Sequence, residues 1–229
     1  MSYYKDGQLR QYMDDVVNSP CLTSIIKMHI ANFDDMAKSK VAFIAKSEEV
    51  RVYAIKLIAP EYLPNIIRER GQAKSVLIAG ISRLEGENKF LVGVILATKD
   101  MDIACSCAEK INSEYEVYNL ICNPSLEEGI KEILVLELKD QSHLQEIASN
   151  NENGYGLRSL AISKIQSFEF LKKLLLESEN ENEDIALCIL NTNLCDDETL
   201  QTLKDRDGRL GKVARNQIKR RKKKGNKKC

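Results

Sequence analysis

A short apolar pattern recurs at a nearly constant interval along this chain of 229 residues. Seven nine-residue segments share the pattern, and they begin at Val50, Val76, Ile103, Ile130, Leu157, Ile185 and Leu210. A weaker copy, LTSIIKMHI, begins one interval earlier, at Leu22. The period is about 27 residues, and a regular period between roughly 20 and 50 residues is typical of repeat proteins, in which each structural unit stacks on the next.

The apolar positions within each segment have helical spacing. The fifth residue is small in five of the seven segments, at Ala54, Gly80, Cys107, Ala161 and Ala214. The ninth residue is Ile or Leu in all but one of them. Residues four apart lie on one stripe of an α-helix, so each segment is predicted to be a helix. We expect the small fifth residue to let neighbouring helices approach closely.

A second apolar series lies between these segments, so each repeat is predicted to contain two short helices. Two pairs, Ser113 with Glu116 and Ser142 with Gln145, have the spacing of a capping box at the start of second-series helices. Pro20 follows Ser19 as the first helical residue follows an N-cap. With only 6% aromatic residues and no Trp, the composition also favours an all-α fold.

Acidic residues precede several of the first-series helices. They are Glu48, Glu49, Asp100, Asp102, Asp205 and Asp207. Together with Arg51, Arg158 and the small fifth residue, this pattern resembles the HEAT repeat, in which an acidic turn precedes a helix that begins Val-Arg and carries Ala. The period is shorter than the roughly 40 to 47 residues usual in that family, and the Arg is absent from five segments.

The resemblance covers roughly residues 20–218. It implies a right-handed α-solenoid of about seven to eight two-helix HEAT-like repeats, with residues 1–19 as an N-terminal capping helix and residues 219–229 as a basic tail. In HEAT proteins the Val-Arg helices usually line the concave surface, where partners bind. On that basis six side chains are expected at the binding surface: Arg51, Arg83, Lys110, Lys131, Arg158 and Lys164. Lys164 is also expected to face solvent, so that its replacement should hardly affect stability.

The end of the chain is strongly basic. Ten Lys or Arg residues and no acidic residue lie between Lys212 and Cys229, although the whole chain has 34 basic and 34 acidic residues. Such a run repels itself, so we expect disorder beyond about Arg220 and contact with anionic surfaces. The candidate contacts are Lys219, Arg220, Arg221, Lys222, Lys223 and Lys224. Three roles remain open, namely solubility, binding to nucleic acid, and binding to an acidic protein or anionic lipid.

Residues suited to catalysis are scarce. His29 and His143 are the only histidines, and a stack of repeats would keep them apart because each repeat contacts mainly its neighbours. No GxxxxGK[ST] or GxGxxG motif is present. The seven cysteines mostly have apolar neighbours, which favours reduced core residues over disulfides or a metal site. We therefore expect no catalytic residue, no cofactor and no metal.

The favoured function is a non-catalytic scaffold that presents a helical-repeat surface to a protein partner, with the basic tail for electrostatic attachment. A nucleic-acid-binding protein that uses the tail is the alternative. A HEAT-like DNA glycosylase or bilin lyase ranks third. The glycosylase is disfavoured because Trp is absent and because the expected concave face carries Glu132 among its cations, so its charges are mixed. The polar start lacks the order of a secretory signal, and the longest apolar runs are too short to span a membrane. A cytoplasmic location is expected.

Overall fold

The computed structural model describes residues 6–69, 71–178, 183–192 and 195–225. Regular structure within these ranges is helical and includes no strand, which confirms the predicted all-α class. The first eight helices are α1 Asp6–Asn18, α2 Ser24–Asn32, α3 Asp35–Ile44, α4 Glu48–Leu57, α5 Leu63–Arg68, α6 Lys74–Ile81, α7 Asn88–Ala97 and α8 Met101–Ala108. The next eight are α9 Glu114–Ile121, α10 Glu128–Glu137, α11 Gln141–Ser149, α12 Tyr155–Lys164, α13 Phe168–Ser178, α14 Glu183–Asn191, α15 Asp197–Leu203 and α16 Gly208–Gly225. A 3-10 turn, Pro60–Tyr62, precedes α5.

The helices alternate between the two predicted series. The seven repeated segments form α4, α6, α8, α10, α12, α14 and α16, which we call the first series. The helices between them, α5, α7, α9, α11, α13 and α15, form the second series. The weaker copy that begins at Leu22 corresponds to α2.

The chain divides into two compact units, Met1–Glu116 and Val117–Cys229, and the division falls within α9. In the first unit α2 packs on α4, α4 on α6, and α6 on α8. In the second unit α10 packs on α12, α12 on α14, and α14 on α16. Each of these pairs joins helices that are one sequence period apart. The predicted boundary at residue 19 lies between α1 and α2, whereas the boundary at residue 218 lies inside α16.

The buried positions follow the apolar stripe. The first and fifth residues of all seven segments are buried, including Ala54, Ala161 and Ala214, which have no exposed surface. A close helix approach is clearest at Gly80, where an added Cβ would lie 3.0 Å from Cγ1 of Ile67 on the preceding helix. The small fifth residue there accommodates its neighbour directly.

Short polar side chains start several of the helices by accepting hydrogen bonds from otherwise unpaired amides. Asp34 accepts from the amide of Ala37 at 2.7 Å, and Ser113 accepts from the amide of Glu116 at 3.3 Å, as its spacing predicts. Two predicted helix starts were wrong. The N-cap of α11 is Asp140 rather than Ser142, because the carboxylate accepts from the amide of Ser142 itself at 2.8 Å.

The other correction concerns Pro20. It lies in the connection before α2, which begins four residues later with Thr23 as its N-cap. The Thr23 hydroxyl accepts a hydrogen bond from the amide of Ile26 at 3.3 Å, so Thr23 and not Ser19 is the N-terminal partner of this helix.

A polar link recurs between consecutive first-series helices. In three segments the eighth residue is a long polar side chain that makes this link: Arg83 just after α6, Lys164 at the end of α12, and Gln217 in α16. Each donates to carbonyl oxygens near the end of the preceding first-series helix. Arg83 reaches Ile58 and Ile55, Lys164 reaches Val135 and Leu136, and Gln217 reaches Leu190. The last carbonyls of a helix have no partner within it, so donors at this point satisfy them, and cations also oppose the negative end of the helix dipole.

Acidic side chains make the opposite link at several helix starts. In α4, α10 and α14, the residue two positions before the repeated segment is a Glu. Its carboxylate lies against the start of the next first-series helix, which is α6, α12 or α16 respectively. Glu48 accepts from the Ser75 hydroxyl, the Glu128 carboxylate lies against Gly154, and Glu183 accepts from the amides of Arg209 and Leu210. Negative charge is favourable at the amino end of a helix. The carboxyl ends of α4, α10 and α14 and the amino ends of α6, α12 and α16 therefore meet polar groups of the neighbouring first-series helix.

Candidate protein-interaction surfaces

The six predicted binding residues divide equally between the two units. Arg51, Arg83 and Lys110 belong to the first unit, where all three are half-buried. Arg51 donates from Nη1 to Oε1 of Gln72 at 3.0 Å. In the second unit Lys131 is half-buried.

Besides Arg51, three of the six donate to backbone carbonyls inside their own unit. Arg83 and Lys164 form the links to the preceding repeat, so the expectation that Lys164 simply faces solvent was wrong. Arg158 is only 3% exposed, and its Nε donates to the carbonyl of Ala148 at 3.0 Å. Burial lowers the pKa of its guanidinium. These long side chains satisfy backbone carbonyls that the sequence pattern does not reveal.

The predicted basic tail begins as part of α16, which continues through Gly225 instead of ending near Arg220. Arg221 holds this extension, because its guanidinium donates to Asp197 at 2.7 Å and to the carbonyl of Cys195 at 2.6 Å. The cations also lie near the carboxyl end of the helix, where the helix dipole favours them. Lys219, Arg220 and Lys222 are exposed. The side chains of Lys223 and Lys224, and residues 226–229, lie outside the described part.

Open grooves occur on the first-series helices of both units. In the first unit, a groove of about 410 Å³ has a lining that includes Leu22, Glu48, Glu49, Val52, Tyr53 and Lys56. In the second unit, a groove of about 390 Å³ crosses α12, α14 and α16, and its lining includes Tyr155, Leu187, Cys188, Asn191, Lys212 and Val213. We refer to these as the first-series grooves. The repeat pattern did not predict these grooves, because it marks the buried stripe and not the half-exposed third and fourth residues of the segments, such as Val52, Tyr53 and Val213.

The first-series grooves combine apolar and paired polar groups. In the second unit Tyr155 is 55% exposed, whereas the carboxylate of Asp184 is paired with Arg209 at 3.0 Å. In the first unit the ammonium of Lys27 lies 5.8 Å from the ring centre of Tyr53. Each groove therefore offers an aromatic side chain beside charges of both signs.

The two histidines stack on tyrosines instead of meeting a nucleophile. Tyr12 and His29 have ring centres 4.3 Å apart, and Tyr118 and His143 have ring centres 4.1 Å apart. Burial, and secondarily a hydrogen bond with Glu146, raises the pKa of Tyr118.

The described cysteines and acidic residues show no arrangement suited to nucleophilic catalysis or metal binding. Burial raises the pKa of the Cys107 thiol to about 12, which disfavours the reactive thiolate. Within the described ranges no cluster of three His, Cys, Asp or Glu side chains is arranged to hold a metal ion, and none of the helices there is long and apolar enough to cross a bilayer.

Comparison with known protein families found no family model that matches the chain. Neither the curated proteins nor the solved structures gave a match to it. The function is therefore inferred from the residues and contacts of the protein itself.

Proposed function

We propose that the protein is a non-catalytic scaffold that binds a protein partner through its first-series helices, which form short HEAT-like repeats. The observation that carries the proposal is the presence, in each unit, of an open groove on these helices with an aromatic side chain that is at least partly exposed. Cytoplasmic location remains part of the proposal, and the six described cysteines are all free thiols, as a reducing compartment would allow.

Exposed apolar side chains on the first-series helices support a protein partner. Met101 is 41% exposed, Leu136 is 54% exposed and Tyr155 is 55% exposed. Tyrosine and methionine are enriched at protein interfaces, where apolar contact area is combined with adaptable polar groups. A few such side chains usually supply most of the binding energy of an interface.

Three of the residues that the sequence predicted as partner contacts are instead engaged in hydrogen bonds within the protein, so other residues are expected to contact the partner. Since Arg83, Arg158 and Lys164 donate to backbone carbonyls within their own unit, removing them would disturb the helix packing before any interface. The partner contacts are better sought at Tyr53 and Tyr155, which lie in the first-series grooves. The electrostatic steering would come from the exposed cations of α16.

Site-specific photo-crosslinking in cells tests the proposal. A photoreactive phenylalanine analogue replaces Tyr53 or Tyr155, and the matched control places it at Glu169, which is exposed on the second-series helix α13. We expect both groove positions to capture the same protein and the control to capture little of it. Equal capture at all three positions, or none at the groove positions, would contradict the proposal.

A second candidate function is nucleic-acid binding through α16. The observation that favours it is that Gly208–Gly225 contains nine basic residues and no acidic one, and that Lys212, Arg215, Lys219, Arg220 and Lys222 are exposed. Binding through such contacts releases counterions, so affinity should fall steeply with salt.

Charge removal on α16 separates the two candidates without disturbing the fold. The variant with Lys219→Gln, Arg220→Gln and Lys222→Gln keeps Arg221, which anchors the helix to Asp197. A nucleic-acid-binding protein would bind duplex or single-stranded probes in a salt-sensitive manner and lose most of that affinity in the variant. Absence of salt-sensitive binding by the full chain would eliminate this candidate.

A further inference from the structure

A second groove on the first unit lies on the second-series side of the repeats, along α5 and α7. It has a volume of about 500 Å³ and runs along the full length of α7, whose Lys89, Phe90, Gly93, Val94 and Ala97 line one wall. Ile67 of α5, Leu77 of α6 and Ile103 of α8 also line it. A ten-residue helix is about 15 Å long, so the groove is elongated and mostly apolar.

Gly93 keeps this groove open. It lies in the middle of α7, and a Cβ added there would have no heavy atom within 4 Å. Packing therefore does not require a glycine, although glycine is among the least favourable residues for a helix interior. The missing side chain has one evident structural consequence, which is the free space in the groove beside Phe90 and Val94.

The charges along the groove have one sign. Arg68 and Lys89 line it, both are exposed, and its lining includes no carboxylate. The guanidinium of Arg68 lies 4.9 Å from the ring centre of Phe90, so the cation lies beside the apolar wall. Neither cation forms an ion pair with another described residue. A ligand that complements this groove has apolar side chains along one face and negative charges beside them.

We propose that this groove binds a short amphipathic helix of a partner protein, with large apolar side chains spaced three and four residues apart and flanking Asp or Glu residues. This inference rests on the proposed scaffold function and adds a second contact to it. Helices that bind in grooves use this spacing of apolar anchors. The carboxylates would pair with Arg68 and Lys89, and the anchors would lie against Phe90 and Val94 over Gly93.

Other ligand classes fit the groove less well. Strand addition needs an open sheet edge, and the described residues of this unit include none. A nucleic acid needs cations along the whole length of its path, whereas the centre of this groove is apolar. The basic end of this same chain carries the wrong charge for Arg68 and Lys89.

Peptide selection against the full-length protein tests the inference. A display library of random peptides, each long enough for about four helical turns, is selected on the wild-type chain and counter-selected on Gly93→Leu, which fills the groove from an open helical position. Recovered peptides are then synthesised and titrated against the wild type, Gly93→Leu, the double variant Arg68→Gln with Lys89→Gln, and Lys40→Leu. Lys40→Leu adds an exposed leucine to α3 of the same unit and serves as the matched control.

The expected result is a set of peptides with apolar residues at helical spacing and excess acidic residues. Their affinity should fall at least about tenfold in Gly93→Leu, fall several-fold in the double Gln variant, and stay unchanged in Lys40→Leu. Peptides without acidic enrichment, or peptides that bind Gly93→Leu as well as wild type, would overturn the inference.

The remaining occupants give distinct results. If the wild type sediments as a dimer that Gly93→Leu dissociates, a second copy of this chain fills the groove and the inference is overturned. Binding of anionic lipid vesicles that Gly93→Leu abolishes, without recovery of acidic peptides, would also overturn it. The proposed function has a separate readout, because partner capture at Tyr53 and Tyr155 can persist when groove binding fails.

Discussion

Arg83 donates a hydrogen bond from Nη1 to the carbonyl oxygen of Ile58 at 2.7 Å, which joins α6 to the end of the preceding first-series helix. The two residues are 25 positions apart, close to one repeat. Lys164 and Gln217 make the equivalent contact in the second unit. A donor at this position of the repeat thus both satisfies helix carbonyls and links consecutive first-series helices.

Replacing Arg83 with Met should destabilise the protein by about 1 to 3 kcal/mol, because half-buried carbonyls lose a charged donor. The free energy of unfolding from urea titration measures the effect. Arg10→Met, at an exposed position on α1, is the control and should change stability by less than about 0.5 kcal/mol. Equal effects of the two substitutions would mean that the link contributes no stability.

Replacing Ala161 with Leu should overpack the core between first-series helices. Ala161 has no exposed surface, and adding methylene groups at a packed site typically costs about 1 to 3 kcal/mol. Ser163→Leu, exposed two residues later on α12, is the control and should be nearly neutral. Thermal unfolding of both variants checks the expectation, and a neutral Ala161→Leu would contradict the packing described for α12.

Acid should weaken the protein partly through Asp100. The ammonium of Lys74, 2.9 Å away, lowers the pKa of this N-cap carboxyl below its ordinary value, and the amides of Ile103 and Asp102 reinforce the shift. A carboxyl with a lowered pKa in the folded state contributes stability that is complete above its unfolded pKa, near about 3.9. That contribution is lost as the pH falls through the folded value.

Asp100→Asn isolates this charge, since Asn can still cap α8. The melting temperature of the variant should therefore fall less than that of the wild type between about pH 5 and pH 2. Parallel melting curves across this pH range would show that Asp100 does not contribute to the acid dependence.

Replacing Gly93 with Ala should stabilise the protein by about 0.5 to 1 kcal/mol, because Ala restricts the unfolded chain and favours the helix. An added Cβ meets nothing within 4 Å, so no steric cost offsets the gain. Gly80→Ala is the contrasting substitution, since its Cβ would lie 3.0 Å from Ile67. Destabilisation by Gly93→Ala would show that the helix needs glycine there for packing.

The sequence predicted the helices well because their signal is local. Residues such as Ala54 and Ala161 repeat at helical spacing within one segment, and they are buried as that spacing requires. The ends of the helices were harder to predict, because nearby polar side chains compete to accept from the first amides. The capping-box spacing predicted Ser142 as the cap of α11, whereas the carboxylate of Asp140 is the cap. The capping-box spacing alone does not show which of two neighbouring side chains, Asp140 or Ser142, accepts from the helix amides.

The candidate site was harder to predict because long side chains act across repeats. Arg158 was expected at the binding surface but is buried against the carbonyl of Ala148. The extent of α16 depends on Arg221 reaching Asp197, 24 residues earlier. The groove beside Gly93 exists because glycine has no side chain to fill the space between α7 and its neighbouring helices. No sequence motif predicts such a space.

The packing of consecutive first-series helices can be tested by asking whether equivalent positions of neighbouring segments are in contact in solution. Nuclear Overhauser effects measured on selectively labelled protein should connect the side chain of Arg83 with Ile55 and Ile58, that of Lys164 with Val135, and that of Gln217 with Leu190. We predict all three sets of contacts. If these side chains show contacts only within their own helix, the stacking of each first-series helix on the one from the preceding repeat is wrong.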